Sequence, residues 1–279
     1  MTINRRDFTA GTVATGAVAT AATTARAALA VTETDVTIKT ADGTCDAVII
    51  HPTTGKHPGV LVWTDIMGLR PAFRDMGKII AAEGFSVLIP NPFYRSAPSP
   101  VVGPGFNLQD PDSRAKLMPM MGAVTAPGVA ERDAQAYVAF LDAHPSVNTS
   151  VKIGTTGYCM GGTLTMRTAA LLPARIGAAG SFHGGIGQAT DKPDSPHLTL
   201  VPKMKASYYY GISGDDDGKD LAVKDRLKAA FAAAKLPAEI DVYAEAKHGW
   251  CVPGSVVHHA EAANRAMGKL LALYKKTLV

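Results

Sequence analysis

The sequence predicts an α/β fold, a mostly parallel sheet with helices on both faces. Three observations carry this: short uninterrupted apolar runs of the kind that form buried parallel strands, segments of helical spacing alternating with them, and Gly or Pro between the two. Residues 36–39 and 45–51 alternate or run apolar around Asp42-Gly43 and predict a leading hairpin. Residues 59–63 are apolar throughout and predict a buried strand. Residues 73–83 place Phe73, Met76, Gly77, Ile80 and Ala81 at helical spacing and stop at Gly84, and 85–90 is again a buried strand. Residues 91–128, rich in Pro and Gly, are expected to form a long loop with short helical pieces, a length that points to function. A helix over 129–144 and a strand over 151–156 follow. After a Gly-rich turn come a helix over 160–172, strands over 178–182 and 206–212, a helix over 220–234, a strand over 239–243 and a closing amphipathic helix over 258–276. Sheets of this kind carry their sites at the C-terminal ends of the strands.

Residues 1–30 read differently. Arg5-Arg6, a mild Ala/Thr/Gly-rich stretch, and the small-residue sites Ala25-Arg26-Ala27 and Ala28-Leu29-Ala30 follow the order of a twin-arginine export signal. The expectation is removal of this signal, a mature start near Ala28 or Val31, a single α/β domain over 31–279, and a periplasmic or secreted location. The net charge of +4 is not gathered into a basic patch, so a nucleic-acid partner is not expected. No apolar run has the length of a membrane span. Three cysteines, Cys45, Cys159 and Cys251, leave at least one thiol free; whether Cys45 and Cys251 pair is open. No Cys or His cluster has metal-ligand spacing, so no metal and no cofactor are expected.

The sharpest feature is Gly157-Tyr158-Cys159-Met160-Gly161-Gly162, between a predicted strand and a predicted helix. It is the nucleophile-elbow pattern with Cys in the Ser position. The glycines are needed because side chains two residues either side of so tight a turn would collide with the neighbouring strand and helix. The turn sets the sulfur at a helix N-terminus, which favours thiolate, and aims the Met160 amide at a developing oxyanion. In this pattern acid and histidine follow the nucleophile along the chain. His248 lies in the loop after the strand 239–243, within reach of a strand-end nucleophile. His183 ends the strand after the elbow helix and either lines the pocket or serves the structure. The acid is expected after the strand 206–212, where Asp215, Asp216 and Asp217 stand together; Asp216 is the first choice and Asp215 the second.

Residues 33–278 resemble the dienelactone hydrolase family, the cysteine branch of the α/β-hydrolases. The resemblance rests on Leu61-Val62-Trp63-Thr64-Asp65-Ile66-Met67-Gly68-Leu69, Glu83-Gly84-Phe85 with Ile89-Pro90, the Cys159 elbow, and His248-Gly249-Trp250. It implies an α/β-hydrolase fold and a hydrolase acting on a small-molecule carboxylic ester or lactone. It also implies Cys159 as nucleophile, His248 as base, Asp216 as orienting acid, Ile66 as a second oxyanion amide beside Met160, Asp65 as the acid that holds the resting thiol, and Arg95 as a grip on the substrate carboxylate. The chain departs from the family twice. Asp65 stands where the family usually has Glu, and Gly249-Trp250-Cys251-Val252 lacks a second carboxylate-binding arginine. The other role open to Asp65 is to cap a turn or pair with an arginine such as Arg70. Acyl transfer, thioester or amide cleavage, and a non-catalytic binding protein that keeps the pocket are the rival readings.

Overall fold

The computed structural model describes residues 28–103, 106, 108, 110–184 and 196–279; the Arg5-Arg6 pair of the expected export signal lies outside them. Eight strands join one sheet: β1 Val31–Thr40, β2 Gly43–Pro52, β3 Gly59–Trp63, β4 Ser86–Pro90, β5 Ile153–Tyr158, β6 Ile176–Phe182, β7 Ser207–Ser213 and β8 Ala238–Tyr243. Their order is β1-β2-β4-β3-β5-β6-β7-β8. The first hairpin is antiparallel and β2 meets β4 antiparallel; every other pairing is parallel. The helices are α1 Pro71–Ala82, α2 Pro111–Thr125, α3 Val129–Ala143, α4 Met160–Leu171, the short α5 Pro196–Thr199 and α6 Gly214–Asp217, α7 Val223–Ala233 and α8 Ala260–Leu278. This is the α/β-hydrolase arrangement expected from the sequence.

The apolar strands are continuous because both faces are covered. Successive side chains on a strand point to opposite sides, and the core divides accordingly. Leu61, Trp63 and Leu88 pack against Tyr137 and Leu141 of α3 and Leu164 of α4. Val60, Val62 and Val87 pack against Phe73 and Ile80 of α1 and Ala266 and Leu270 of α8. Cys45 lies in the first cluster and Cys251 in the second, each a buried free thiol, so the sheet separates them.

One expectation is corrected. Residues 91–128 hold one long helix in place of short helical pieces, since α2 occupies fifteen of them. Its signals were local: Asp110 caps the helix by accepting from the Ser113 amide at 2.8 Å, and Pro111 opens it. The helix carries Pro119 inside and buries only Leu117 and Val124. It therefore has little of the one-sided apolar spacing by which helices are found in sequence.

Candidate active site

The loops at the C-terminal ends of β3, β5, β6, β7 and β8 meet over the middle of the sheet. Cys159 follows β5 and precedes α4, with φ 53° and ψ −117°, a left-handed conformation that costs a non-glycine residue about 1–3 kcal/mol. The turn closes only because its flanks are bare. A Cβ on Gly157 would fall 2.0 Å from the Gly161 carbonyl oxygen, and one on Gly161 would fall 2.4 Å from the Trp63 carbonyl oxygen of β3. The Cys159 amide donates to the Phe182 carbonyl at 3.0 Å and to His183 Nδ1 at 3.1 Å. The sulfur therefore stands half-buried at the start of α4, where helix amides favour negative charge.

The loops after β7 and β8 are tied together by the Gly214 amide, which donates to the Ala246 carbonyl at 2.9 Å. Along the next turn the adjacent aspartates divide the work. Asp215 Oδ1 accepts the backbone amide of His248 at 2.9 Å, and Asp216 Oδ2 stands 2.7 Å from His248 Nδ1. A carboxylate only accepts, so Nδ1 carries the proton and Nε2 is left to face Cys159 Sγ, 3.2 Å away. The structure thus brings Cys159, His248 and Asp216 into one hydrogen-bonded line. Asp216 is buried and also accepts from Ser213 Oγ at 2.7 Å and Lys219 Nζ at 2.8 Å. Ser213 and Lys219 were not singled out from the sequence, although Lys219 sits one helical turn after Asp216.

Burial opposes the charge on Asp216, but the hydrogen bonds from His248, Lys219 and Ser213 hold it well below the usual carboxylate range. Burial also opposes a charged His248; its contacts with Asp216 and Cys159 outweigh this and push it up to about 10. His183 is fully buried and goes the other way, pushed down to about 3 by burial first and by the neighbouring His248 second. Its ring lies 5.0 Å from that of His248. It is a neutral imidazole whose Nδ1 accepts from Cys159, so its proton is on Nε2, which meets no acceptor among the described residues.

Asp65 makes the Arg70 pair left open for it while still lining the cavity beside Cys159, and Arg95 stands away from that cavity. Asp65 is turned to Arg70, which binds both its oxygens at 2.7 and 2.8 Å, while the Met67 amide donates to Oδ1 at 2.9 Å. It clamps the loop that carries Ile66. Arg95 is drawn off to Asp133, at 2.8 and 2.7 Å, and to Asp42, at 2.6 Å. Asp133 is wholly buried and keeps that guanidinium on the α3 side of the hairpin. The cavity beside Cys159, about 190 Å³, has Asp65, His183 and His248 in its wall but not Arg95. Its apolar wall is Ile66, Met67, Phe106, Leu108, Val256 and Val257. The amides of Ile66 and Met160 meet no acceptor among the described residues. No three metal-ligating side chains converge among those residues, and no described helix is long and apolar enough to cross a membrane.

The dienelactone hydrolase family model matches residues 45–278. The chain is 25% identical to a carboxymethylenebutenolidase of Pseudomonas putida, over 82% of this chain and 90% of that one. It is 26% identical to one of Rhodococcus opacus, over 79% and 82%. A dienelactone hydrolase-like promiscuous phosphotriesterase from metagenomic libraries superposes with a TM-score of 0.72 at 20% identity, over 90% of this chain and 100% of that one, a likeness of fold.

The pairing of His248 predicts a pH dependence of stability. A group whose value is raised on folding stabilises fully below its ordinary value, here about 6.5, and loses that contribution as pH rises through its folded value, here about 10. The urea unfolding free energy of the wild type, less that of His248→Gln, should fall across this window. A difference that stays constant with pH would contradict the assignment.

Proposed function

The chain belongs to the dienelactone hydrolase family of hydrolases, and on that premise we propose that it cleaves a carboxylic ester or lactone through a Cys159-His248-Asp216 triad. The observation that carries the proposal is the line from Asp216 Oδ2 through His248 to Cys159 Sγ, at 2.7 and 3.2 Å, on a strained turn at a helix N-terminus. Cys159 Sγ attacks the carbonyl carbon while His248 takes the thiol proton. The amides of Ile66 and Met160 receive the oxyanion, a charge that exists only as the carbonyl becomes tetrahedral. Collapse breaks the C–O bond, and His248 returns the proton to the leaving alkoxide. Water, deprotonated by His248, then cleaves the thioester, and the acid leaves with the thiol restored. Asp216 fixes the imidazole tautomer and stabilises its charged form. In this reading Asp65 serves the reaction indirectly, by holding the Ile66 loop against Arg70, and Arg95 serves the fold.

Cys159→Ala should remove hydrolysis of p-nitrophenyl acetate with the circular dichroism spectrum unchanged. His248→Ala should lose about 10²–10⁴-fold in kcat. Asp216→Asn should lose on the order of 10⁴-fold, since the tautomer is no longer fixed, and Asp215→Asn far less, since it holds only the His248 backbone. A fully active Cys159→Ala protein would end this reading; equal small losses at the two aspartates would remove Asp216 from it.

We also propose export by the twin-arginine route, on the strength of Arg5-Arg6 and the small-residue sites after it. The Leu29 amide donates to Ala82 and the Ala30 carbonyl accepts from Thr53, at 2.9 and 3.0 Å. A cut before Ala28 keeps both bonds, so N-terminal sequencing of the exported protein should begin there. Unchanged export after Arg5→Lys with Arg6→Lys would refute the route.

A further inference from the structure

We propose that this site selects esters whose acyl group is uncharged and apolar, and discriminates against acyl groups that carry a carboxylate. The inference rests on the ester-hydrolase reading above and goes beyond it to the chemistry of the substrate.

The cavity offers an acyl chain a mainly apolar wall, with Ser255, Asp65 and the two histidines as its polar side chains. Ile66, Met67, Phe106, Leu108, Val256 and Val257 form its wall around Cys159. Val256 is 95% exposed, so the apolar surface extends to the mouth rather than ending inside it. An isolated exposed apolar side chain needs no explanation, but one continuous with an apolar cavity over a nucleophile extends a binding surface.

The charged groups facing that cavity are already paired, and one neutral donor, His183 Nε2, is left over. Asp65 is held by both terminal nitrogens of Arg70, so neither charge of the pair is left over for a ligand. His248 is engaged at Nδ1 by Asp216 and at Nε2 by Cys159. His183 is buried and uncharged and can donate one N–H but no cation. Arg95 is fixed on Asp133 and Asp42 and is not part of the wall. Among the described residues, then, no arginine or lysine lines the cavity. A carboxylate on the acyl chain would exchange water for a mainly apolar wall with no arginine or lysine among its described residues to meet it, a costly transfer that an apolar chain is spared.

The test compares two esters of the same leaving group and acyl length, p-nitrophenyl hexanoate and the mono-p-nitrophenyl ester of adipic acid. The wild type should favour the hexanoate by at least about tenfold in kcat/KM. Val256→Arg should raise the adipate-to-hexanoate ratio several-fold, and added salt should erase the gain. Val256→Gln, similar in reach but uncharged, should leave the ratio where it was. A wild type that hydrolyses the adipate ester as well as or better than the hexanoate, or a ratio that Val256→Arg does not move, overturns the inference while leaving the hydrolase reading standing. Hydrolysis of neither ester, or hydrolysis that persists in Cys159→Ala, overturns the hydrolase reading and the inference with it.

Discussion

A side chain at the tip of a buried strand can face a pocket only if the chain turns back within a residue, and at Cys159 the molecule holds such a turn against its own backbone preference. The strain at φ 53° persists because the surroundings leave no alternative. The Cys159 amide is bound from β6 and from His183, and the two glycines let the start of α4 close onto β5 and β3. The order of the sheet does the rest: β5 lies between β3 and β6, so one turn sets the sulfur beside the Ile66 loop and beside His183 at once.

Around that fixed point the charges are arranged in short closed sets. His248 is held twice, by its backbone on Asp215 and by its ring on Asp216, which leaves the imidazole little freedom except toward the sulfur. Asp216 in turn is held by Ser213 and Lys219. Asp65 and Arg70 close a second set that shapes the loop opposite. Arg95, Asp133 and Asp42 close a third, away from the cavity, joining the first hairpin to α3. A neutral His183 beside a readily protonated His248 completes the division: two imidazoles 5.0 Å apart, one kept uncharged by burial and the other made a stronger base by its partners.

Much of this was legible in the sequence where the pattern is local and the chemistry unambiguous. Buried parallel strands announce themselves as apolar runs, and the Gly157-to-Gly161 spacing encodes a steric requirement that the backbone obeys. Asp216 could be preferred over Asp215 only by its distance from the strand; what separates them is burial, since Asp216 is turned inward against Ser213 while Asp215 reaches along the surface to a backbone amide. The Asp65–Arg70 pair was one of two roles the sequence left open for Asp65, whereas the position of Arg95 was not legible, because it depends on Asp133 on a distant helix. α2 escaped because its capping signals were outweighed by Pro119 and by the lack of an apolar stripe. The cavity wall draws on loops far apart in sequence, at Ile66, Phe106 and Val256, and could be seen only once the strands had brought them together.

The claim on which the rest depends is that the Cys159 sulfur carries the acyl group during turnover. Rapid acid quenching of the wild type during hydrolysis of a slow p-nitrophenyl ester, followed by peptide mass mapping, tests it directly. The account predicts an added acyl mass on the peptide containing Cys159, absent in Cys159→Ala, and none on the peptides of Cys45 or Cys251. Burst release of p-nitrophenol with the acyl mass on any other residue would contradict it.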